Sequence, residues 1–254
     1  MSITQEERNG ISEAIYFASM QTTAGEEKRA FWFDKVILTS GKISVCFVDH
    51  RVLTGFPEYA DRVVEGLDKV VAGSGADYII SSADAGIYWG ARVAGDLGLG
   101  FVVMRKEGDL CGYIPKGVKV IGVDDLNTTL GTVSKLVQAV GKVNGRIDEV
   151  VVDLDREEYE PNSERVFKES GIKLRSLVTL NQLIDYGIRH DLIDSSKVEM
   201  VHAYRKDSNM FALDIINNNF QWVAQNKRLE KAREFYKNNP KVSAALEEAV
   251  ARVA

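Results

Sequence analysis

The sequence predicts an α/β protein in which a mostly parallel sheet is flanked by helices. Between residues 76 and 180, short β-rich runs such as ADYIIS and VKVIGV alternate with longer segments whose apolar residues recur at helical spacing. Strands that alternate with helices in this way form parallel sheets with helices on both faces. A chain of 254 residues with 45% hydrophobic residues is also long enough to bury the core that such a sheet needs.

The segments on either side of this core have other patterns. Residues 11–34 are predicted to be helical, and residues 35–53 contain two β-rich runs around the turn SGK, which is typical of an antiparallel hairpin. The C-terminal part is predicted to be helical, with interruptions at NNNF and NNP. The predicted division is an N-terminal helical cap at 1–34, a central domain at 35–186 and a helical extension at 187–254. The extension either caps the core or pairs with another subunit.

Composition excludes several classes of function. A formal net charge of -5 and a pI near 5.4 provide no basic surface for nucleic acid. The apolar runs are far shorter than the roughly 20 residues of a membrane span, and MSITQEERNG has no signal-peptide pattern, so we expect a cytoplasmic protein without a membrane partner.

Cys46 and Cys111 are predicted to be free thiols, and no metal ligand is assigned. The histidines have no triad or metal spacing and are interpreted as structural or surface residues: His50, His190 and His202.

The segment VIGVDDLNTTLGT, residues 120–132, predicts a site for a phosphorylated sugar. A buried strand is expected to end at Val123, which would leave Asp124 and Asp125 where the strand meets solvent. Ligands of open parallel sheets bind at this edge. Backbone amides at the following helix N-terminus suit a phosphate, and the two carboxylates suit sugar hydroxyls or a divalent cation that bridges phosphates. An ordinary αβ junction with exposed acids is the alternative. Three hydroxyl side chains add donors to this turn: Thr128, Thr129 and Thr132.

A second segment, ISSADAGIYWGA at residues 80–91, again joins a strand end, a turn of small residues and a helix start. Its accessible backbone suits a pyrophosphate, whereas tight packing of a strand against a helix is the alternative. Asp84 is unexpected there, because an acid repels diphosphate unless magnesium intervenes.

The first of these segments resembles the phosphoribosyl-diphosphate (PRPP) loop of type I phosphoribosyltransferases, in which a hydrophobic strand and two acids precede TTGGT or a close variant. ISSADAGIYWGA then stands in the place of that family's diphosphate loop. Leu130 stands where the family usually has glycine. We therefore expect its side chain to intrude where the 5-phosphate approaches the backbone.

Three further segments, in a shared order, are similar to orotate phosphoribosyltransferases. They are KVILTSGKISVCFVDHRVLTGFPE (35–58), EVVVDLDREE (149–158) and ESGIKLRSLVTLNQLIDY (169–186). The resemblance runs, with gaps, from Lys35 to Tyr186. It implies a type I phosphoribosyltransferase fold with a hood formed by the hairpin and later strands, followed by the helical extension.

The resemblance also implies a role for individual residues. Asp124 and Asp125 would hold the ribose hydroxyls, Arg156 would bind the carboxylate or a ring carbonyl of orotate, and Phe47 and Val48 would flank the pyrimidine. A surface ion pair of Arg156 with Asp155 or Glu157, and an ordinary core position for Phe47, are the structural alternatives. The 5-phosphate loop would comprise Leu126, Asn127, Thr128, Thr129, Leu130, Gly131 and Thr132, and the diphosphate loop Ser82, Ala83, Asp84, Ala85 and Gly86.

The chain departs from the family in the loop that supplies catalytic cations, which has a pattern like RKxxKxHG. Here the segment is RKEGDLCG, so Arg105 and Lys106 match, while Asp109 stands at the lysine and Cys111 at the histidine. In the hairpin, Thr39 replaces a lysine that would touch PRPP. Magnesium, Arg105 and Lys106 are therefore expected to stabilise the departing diphosphate, with Lys116 and Lys119 as further candidates.

As function, the resemblance implies that ribose 5-phosphate is transferred from PRPP to orotate, which gives orotidine 5'-monophosphate and diphosphate. Mg²⁺ would be bound through PRPP, and the shared active site of the family implies a homodimer. Two alternatives stay open. The chain could transfer ribose to a different base, or it could be a catalytically impaired homologue that binds PRPP or a nucleotide as a sensor or an assembly protein.

Overall fold

The computed structural model of the chain describes residues 3–21, 30–128, 130–143, 145–159 and 161–253. The helices are α1 (Gln5–Gln21), α2 (Pro57–Ala72), α3 (Ala85–Leu97), α4 (Gly131–Lys142), α5 (Pro161–Ser170), α6 (Leu180–Arg189), α7 (Ser195–Lys206), α8 (Ser208–Asn218), α9 (Phe220–Ala224), α10 (Leu229–Tyr236) and α11 (Pro240–Ala251), with a 3₁₀ helix at His50–Gly55. The strands are β1 (Phe31–Ile37), β2 (Ile43–Val48), β3 (Tyr78–Ser82), β4 (Gly100–Met104), β5 (Leu110–Cys111), β6 (Lys119–Asn127), β7 (Arg146–Asp155) and β8 (Lys173–Thr179).

These elements form two compact units. Unit 1 consists of Met1–Ala30 and Asp49–Gly187, and unit 2 of Phe31–Val48 and Ile188–Ala254. Unit 1 contains a six-stranded sheet with the order β5-β4-β3-β6-β7-β8. Its strands are parallel except for β5, which is antiparallel to β4. The prediction of a mostly parallel sheet flanked by helices is confirmed.

The central strands of unit 1 are apolar along most of their length because both faces of the sheet are covered. The strand residues Val120 and Val150 belong to one buried cluster with Val133 and Leu136 of α4. Burial of each such side chain contributes about 1.5–3 kcal/mol. The amphipathic spacing of α4 therefore fixes this helix against the sheet, with its first turn at the carboxyl end of β6.

Unit 2 combines the predicted hairpin with the C-terminal helices. Strands β1 and β2 are antiparallel, as predicted. The hydroxyl of Tyr236 in α10 accepts a hydrogen bond from the Ile43 backbone N–H (3.1 Å), and Arg228 donates one to the Ile37 carbonyl (2.6 Å). A Cβ atom at Gly41, in the turn, would collide with the Lys231 carbonyl group. Within this unit, the helical extension caps the hairpin.

The prediction of a helix over residues 11–34 is wrong at both ends. The helix spans Gln5–Gln21, and Phe31 begins strand β1. The aromatic residues that follow pair across the hairpin, Trp32 with Phe47, because aromatic side chains pack well on a half-buried sheet surface. Residues 22–29 lie outside the described part of the chain.

Two smaller expectations concern the membrane and the thiols. Across the described ranges, the helices are all too short or too polar to cross a membrane. Within the described part of the chain neither cysteine forms a disulfide bond, as predicted; Cys46 is buried and Cys111 is exposed.

Candidate functional site

Strand β6 continues past the point where the sequence suggests that it ends. It pairs with β3 only as far as Gly122, but with β7 as far as Asn127. Asp124 and Asp125 therefore lie inside the strand, and the prediction of a strand end at Val123 is wrong. The one-sided extension occurs because β7 supplies a partner after the pairing between β6 and β3 has ended. This leaves the acids at the carboxyl edge of the sheet, where ligands bind.

Asp124 joins the two loops that the sequence singles out. Its carboxylate accepts a hydrogen bond from Ser82 Oγ, at 2.9 Å to Oδ1 and 2.8 Å to Oδ2, and another from the Asp125 backbone N–H at 3.1 Å. A Cβ atom at Gly86 would collide with this carboxylate, so only glycine permits the close approach of α3. Asp124 is 3% exposed, which corrects the expectation of a solvent-facing acid, whereas Asp125 is half-buried.

The two carboxyl groups influence one another. Burial raises the pKa of Asp124 well above its ordinary value, and the neighbouring Asp125 raises it further, against the effect of the Ser82 hydrogen bond. Burial also raises the pKa of Asp125, while the nearby His50 opposes this shift. The pKa of each acid is therefore shifted in the direction that favours its neutral form.

A buried ion pair of His50 and Asp153 adjoins these acids. His50, at the start of the 3₁₀ helix, is 1% exposed, and its Nδ1 atom contacts the carboxylate of Asp153 in β7, which is 0% exposed. Burial lowers the pKa of His50, but Asp153, with Asp125 and Asp49 nearby, raises it above the ordinary 6.5. The interpretation of His50 as a structural residue is compatible with this position, but the sequence contains no signal that joins it to Asp153.

Asn127 fastens the predicted phosphate loop to the end of β7. Its side-chain amide donates to Asp155 (2.8 Å), and its side-chain oxygen accepts from the Leu130 backbone N–H (3.1 Å). Its carbonyl accepts from the backbone N–H of Arg156 at 2.9 Å. Asn127 is 4% exposed, so its buried side chain holds the loop in place through these hydrogen bonds. The sequence reasoning missed this role.

The expectation that Leu130 intrudes on the phosphate is wrong. Its φ of 66° is left-handed, as the glycine at this position in the resembled family would allow. Its side chain, however, is fully buried in the same core cluster as Leu136, because an apolar side chain is stabilised by burial there. Gly131 and Thr132 in the first turn of α4 are exposed. Backbone N–H groups in a first turn have no intrahelical partners and favour anions.

The position of Leu130 leads to a stability prediction. Leu130→Gly should lower the free energy of unfolding by about 2 kcal/mol, because the loss of a buried leucine outweighs relief of a left-handed conformation. Leu130→Ala should lower the free energy of unfolding by about 1 kcal/mol more than Leu130→Gly does. It also loses the buried leucine side chain, and alanine, unlike glycine, is strained in the left-handed conformation. Urea unfolding measures both variants. A glycine variant as stable as the wild type, with stronger binding of PRPP, would contradict the buried position.

The remaining parts of the phosphate loop are only partly described. Thr128 is half-buried, as is Leu126. Thr129 lies outside the described residues.

In the predicted diphosphate loop, a lysine neutralises the unexpected acid. Asp84 precedes the first residue of α3 with a φ of 77°, and its carboxylate lies 2.8 Å from Nζ of Lys106. The hydrogen bond from Lys106 lowers the pKa of Asp84. The loop is tied to the next strand, since the Ala83 backbone N–H donates to the Met104 carbonyl at 2.8 Å. Ala85 is half-buried beside the buried Gly86.

The RKEGDLCG segment, residues 105–112, in which the family's lysine and histidine are replaced, forms a tight hairpin between β4 and β5. Cys111 of the short strand β5, which the sequence reasoning missed, pairs with Val103 of β4. The Arg105 backbone N–H donates to the Asp109 carbonyl at 2.9 Å, and the two side chains form an exposed ion pair at 3.0 Å. The aspartate that replaces the family's lysine therefore also neutralises the adjacent arginine.

Arg156 is buried rather than on the surface. Its Nε and Nη2 atoms each donate to the carboxylate of Glu158 at 3.2 Å, and the two side chains are 1% and 7% exposed. The alternative of a surface ion pair with Asp155 or Glu157 is therefore wrong, because Arg156 is buried. Glu158 accepts both of these hydrogen bonds.

The two residues predicted to flank the pyrimidine belong to unit 2. Val48 is buried at the end of β2. Phe47 is half-buried, and its ring centroid lies 4.7 Å from that of Trp32.

Comparisons with known proteins agree with this architecture. The chain matches no protein-family model. It is 31% identical to the orotate phosphoribosyltransferase of Sulfurisphaera tokodaii over 185 residues, which are 70% of this chain and 93% of that protein, and 28% identical to that of Sulfolobus acidocaldarius over 184 residues, 70% and 92% of the two chains.

Among solved structures, orotate phosphoribosyltransferase from Aeropyrum pernix superimposes with a TM-score of 0.59 at 21% identity, covering 69% of this chain and 97% of that one. UMP synthase of Leishmania donovani gives a TM-score of 0.66 at 20% identity, covering 77% of this chain and 41% of that one. These likenesses confirm the predicted type I phosphoribosyltransferase fold. Together with the extent of the sequence match, they lead to one conclusion: this chain belongs to the orotate phosphoribosyltransferase family.

Proposed function

We propose that the chain transfers ribose 5-phosphate from PRPP to orotate and releases orotidine 5'-monophosphate and diphosphate. The observation that carries this proposal is the hydrogen bond between Ser82 and Asp124. It joins the ends of two adjacent parallel strands, so that a loop suited to diphosphate and an acidic edge suited to ribose lie side by side. The names of the relatives support orotate as the base.

In this proposal the chain acts mainly by positioning. Asp124 and Asp125 hold the ribose hydroxyls, and the first turn of α4 at Gly131 and Thr132 receives the 5-phosphate. Transfer of the ribose passes through a cation-like sugar, so the protein has to orient the reactants and stabilise charge on the departing diphosphate. Mg²⁺ carried by PRPP would add positive charge there, and the two carboxylates are oxygen donors of the type it prefers. By the family resemblance, the active form is a homodimer.

The two retained cations are available for the diphosphate. Lys106 is paired with Asp84 and Arg105 with Asp109, but all four side chains are more than half exposed. Exposed ion pairs contribute little to stability. An incoming diphosphate, which carries several negative charges, can therefore displace both carboxylates and recruit both cations.

Restoring the family's residues in the hairpin tests whether the loop limits transfer. Asp109→Lys/Cys111→His should raise kcat at least about tenfold, because it adds positive charge and removes the acid that holds Arg105. The matched control is Asp109→Ala/Cys111→Ala, which frees Arg105 without adding a cation. Equal rates in the wild type and both variants would show that this loop does not act on the departing diphosphate.

A second candidate function is transfer to a base without a carboxylate, and one observation favours it. Glu158 already places a carboxylate against two nitrogen atoms of Arg156, so an orotate carboxylate would meet a neutralised guanidinium. Uracil is a suitable comparison, because it differs from orotate only in lacking that carboxylate.

If Arg156 recognises the carboxylate, Arg156→Gln/Glu158→Gln should lower the ratio of kcat/KM for orotate to that for uracil by at least about tenfold. The double variant removes both charges of the Arg156–Glu158 pair, whereas Arg156→Gln alone would remove the guanidinium that faces the buried Glu158 carboxylate. Steady-state assays with both bases measure the ratio. An unchanged ratio would favour the second candidate.

A further inference from the structure

Unit 2 contains a cavity that the transfer reaction does not use in full. Its volume is about 660 Å³, which falls within the usual range for small-molecule sites. The hairpin forms one side, and the chain from Trp222 to Arg228 forms the other. The lining residues include three aromatic side chains and three basic ones: Trp32, Phe47, Trp222, Lys35, Lys227 and Arg228.

The aromatic side chains offer flat surfaces for a planar ring. Trp32 and Phe47 are a cross-strand pair, with rings tilted by 33° and both side chains half-buried. Trp222 in α9 is also half-buried. Stacking of a base on an aromatic side chain stabilises binding and tolerates different bases.

Positive charge surrounds the same space. Arg228 is held in place by the hydrogen bond that it donates to the Ile37 carbonyl. Its guanidinium carbon lies 5.7 Å from the centre of the Phe47 ring. Nζ of Lys35 lies 5.8 Å from the Trp222 ring and 3.9 Å from the Asp34 carboxylate beside it. Lys227 is exposed. Among the described residues that line the cavity there is no acid.

We propose that this cavity is a nucleotide-binding site, in which the base stacks on the tryptophan rings and the phosphate pairs with Lys227 and Arg228. A wholly apolar occupant would leave Lys227 and Arg228 beside it without counter-charge, and a nucleic-acid strand is disfavoured by the net charge of -5. A nucleoside monophosphate supplies both the planar ring and the anion. Apart from Phe47, which the family resemblance also places beside the pyrimidine, this site shares no residue with the proposed transfer site.

The tryptophans report on this site directly. Two of the three in the chain line the cavity, whereas Trp89 is fully buried in unit 1. Uridine 5'-monophosphate added to the full-length chain should quench the fluorescence in a saturable manner. Uridine should bind at least about tenfold more weakly, because it lacks the charged group. Inorganic phosphate should leave the fluorescence nearly unchanged, since it has no ring to stack.

Charge reversal locates the binding. Lys227→Glu should raise the Kd for uridine 5'-monophosphate about tenfold or more. Lys241→Glu, an equal change at an exposed residue of α11 in the same unit, should leave the Kd unchanged. The titration is repeated in Asp124→Asn/Asp125→Asn, where the Kd should stay the same even if the transfer proposal fails. Equal effects of the two lysine variants, loss of quenching in the aspartate variant, or no saturable quenching at millimolar nucleotide would each overturn the proposal.

Discussion

Asp124→Asn/Asp125→Asn should weaken the binding of PRPP by at least about a hundredfold. Hydrogen bonds to charged groups contribute about 1.5–3 kcal/mol each, and two are removed at the edge of the sheet where the ribose is expected. The substitution also weakens the hydrogen bond that Asp124 accepts from Ser82 of the diphosphate loop, which adds to the loss. Isothermal calorimetry with PRPP and Mg²⁺ gives the affinity directly.

A matched control comes from the opposite end of the same sheet. Asp148 lies near the start of β7, where it pairs with the exposed Arg146 at 2.8 Å. Asp148→Asn makes the same chemical change and should leave the affinity for PRPP within about twofold. If both variants bind PRPP as the wild type does, Asp124 and Asp125 do not form the ribose site.

His50→Leu should lower the free energy of unfolding by about 3–5 kcal/mol, because it leaves the Asp153 carboxylate buried without a partner. Asp153→Leu should have a similar effect. His50→Leu/Asp153→Leu should recover much of the loss, since two apolar side chains replace a pair whose removal from water is costly. Urea unfolding of the four chains completes the cycle. Additive losses in the double variant would contradict a direct pair.

The same pair should give the stability a defined dependence on pH. The pKa of His50 is higher in the folded chain than the ordinary 6.5, so its stabilising contribution is complete below about pH 6.5 and is lost as the pH rises through the folded value. Asp124 and Asp125, whose pKa values are also raised, act in the same direction. The three aspartates that raise the pKa of His50 are Asp153, Asp125 and Asp49. The free energy of unfolding of the wild type should therefore fall more steeply above pH 6.5 than that of His50→Leu.

Local pattern was sufficient to predict most of the fold. Alternating β-rich and helical segments gave the parallel sheet, because each segment carries its own periodicity. The acids and the polar turn at residues 120–132 indicated the edge of the sheet where a site is expected. The helical extension and its interruptions at NNNF and NNP also follow from local composition, and α8 and α11 end and begin there.

The errors concern features that depend on partners distant in the sequence. Whether β6 stops at Val123 or continues is decided by its pairing with β7, which no local pattern contains. The direction of the Leu130 side chain depends on the core below it, and the neutralisation of Asp84 depends on Lys106. His50 and Asp153 are each unremarkable in sequence, and only the tertiary fold gives them a common buried position.

The most direct test of the proposed transfer is a single-turnover assay of the purified full-length chain with orotate, PRPP and Mg²⁺. The amounts of orotidine 5'-monophosphate and diphosphate would be quantified after separation. We predict that the wild type forms both products in equal amounts and that Asp124→Asn/Asp125→Asn forms neither. Tight binding of PRPP by the wild type without product formation would contradict this account, and would mean that the chain binds its ligand without transferring the ribose.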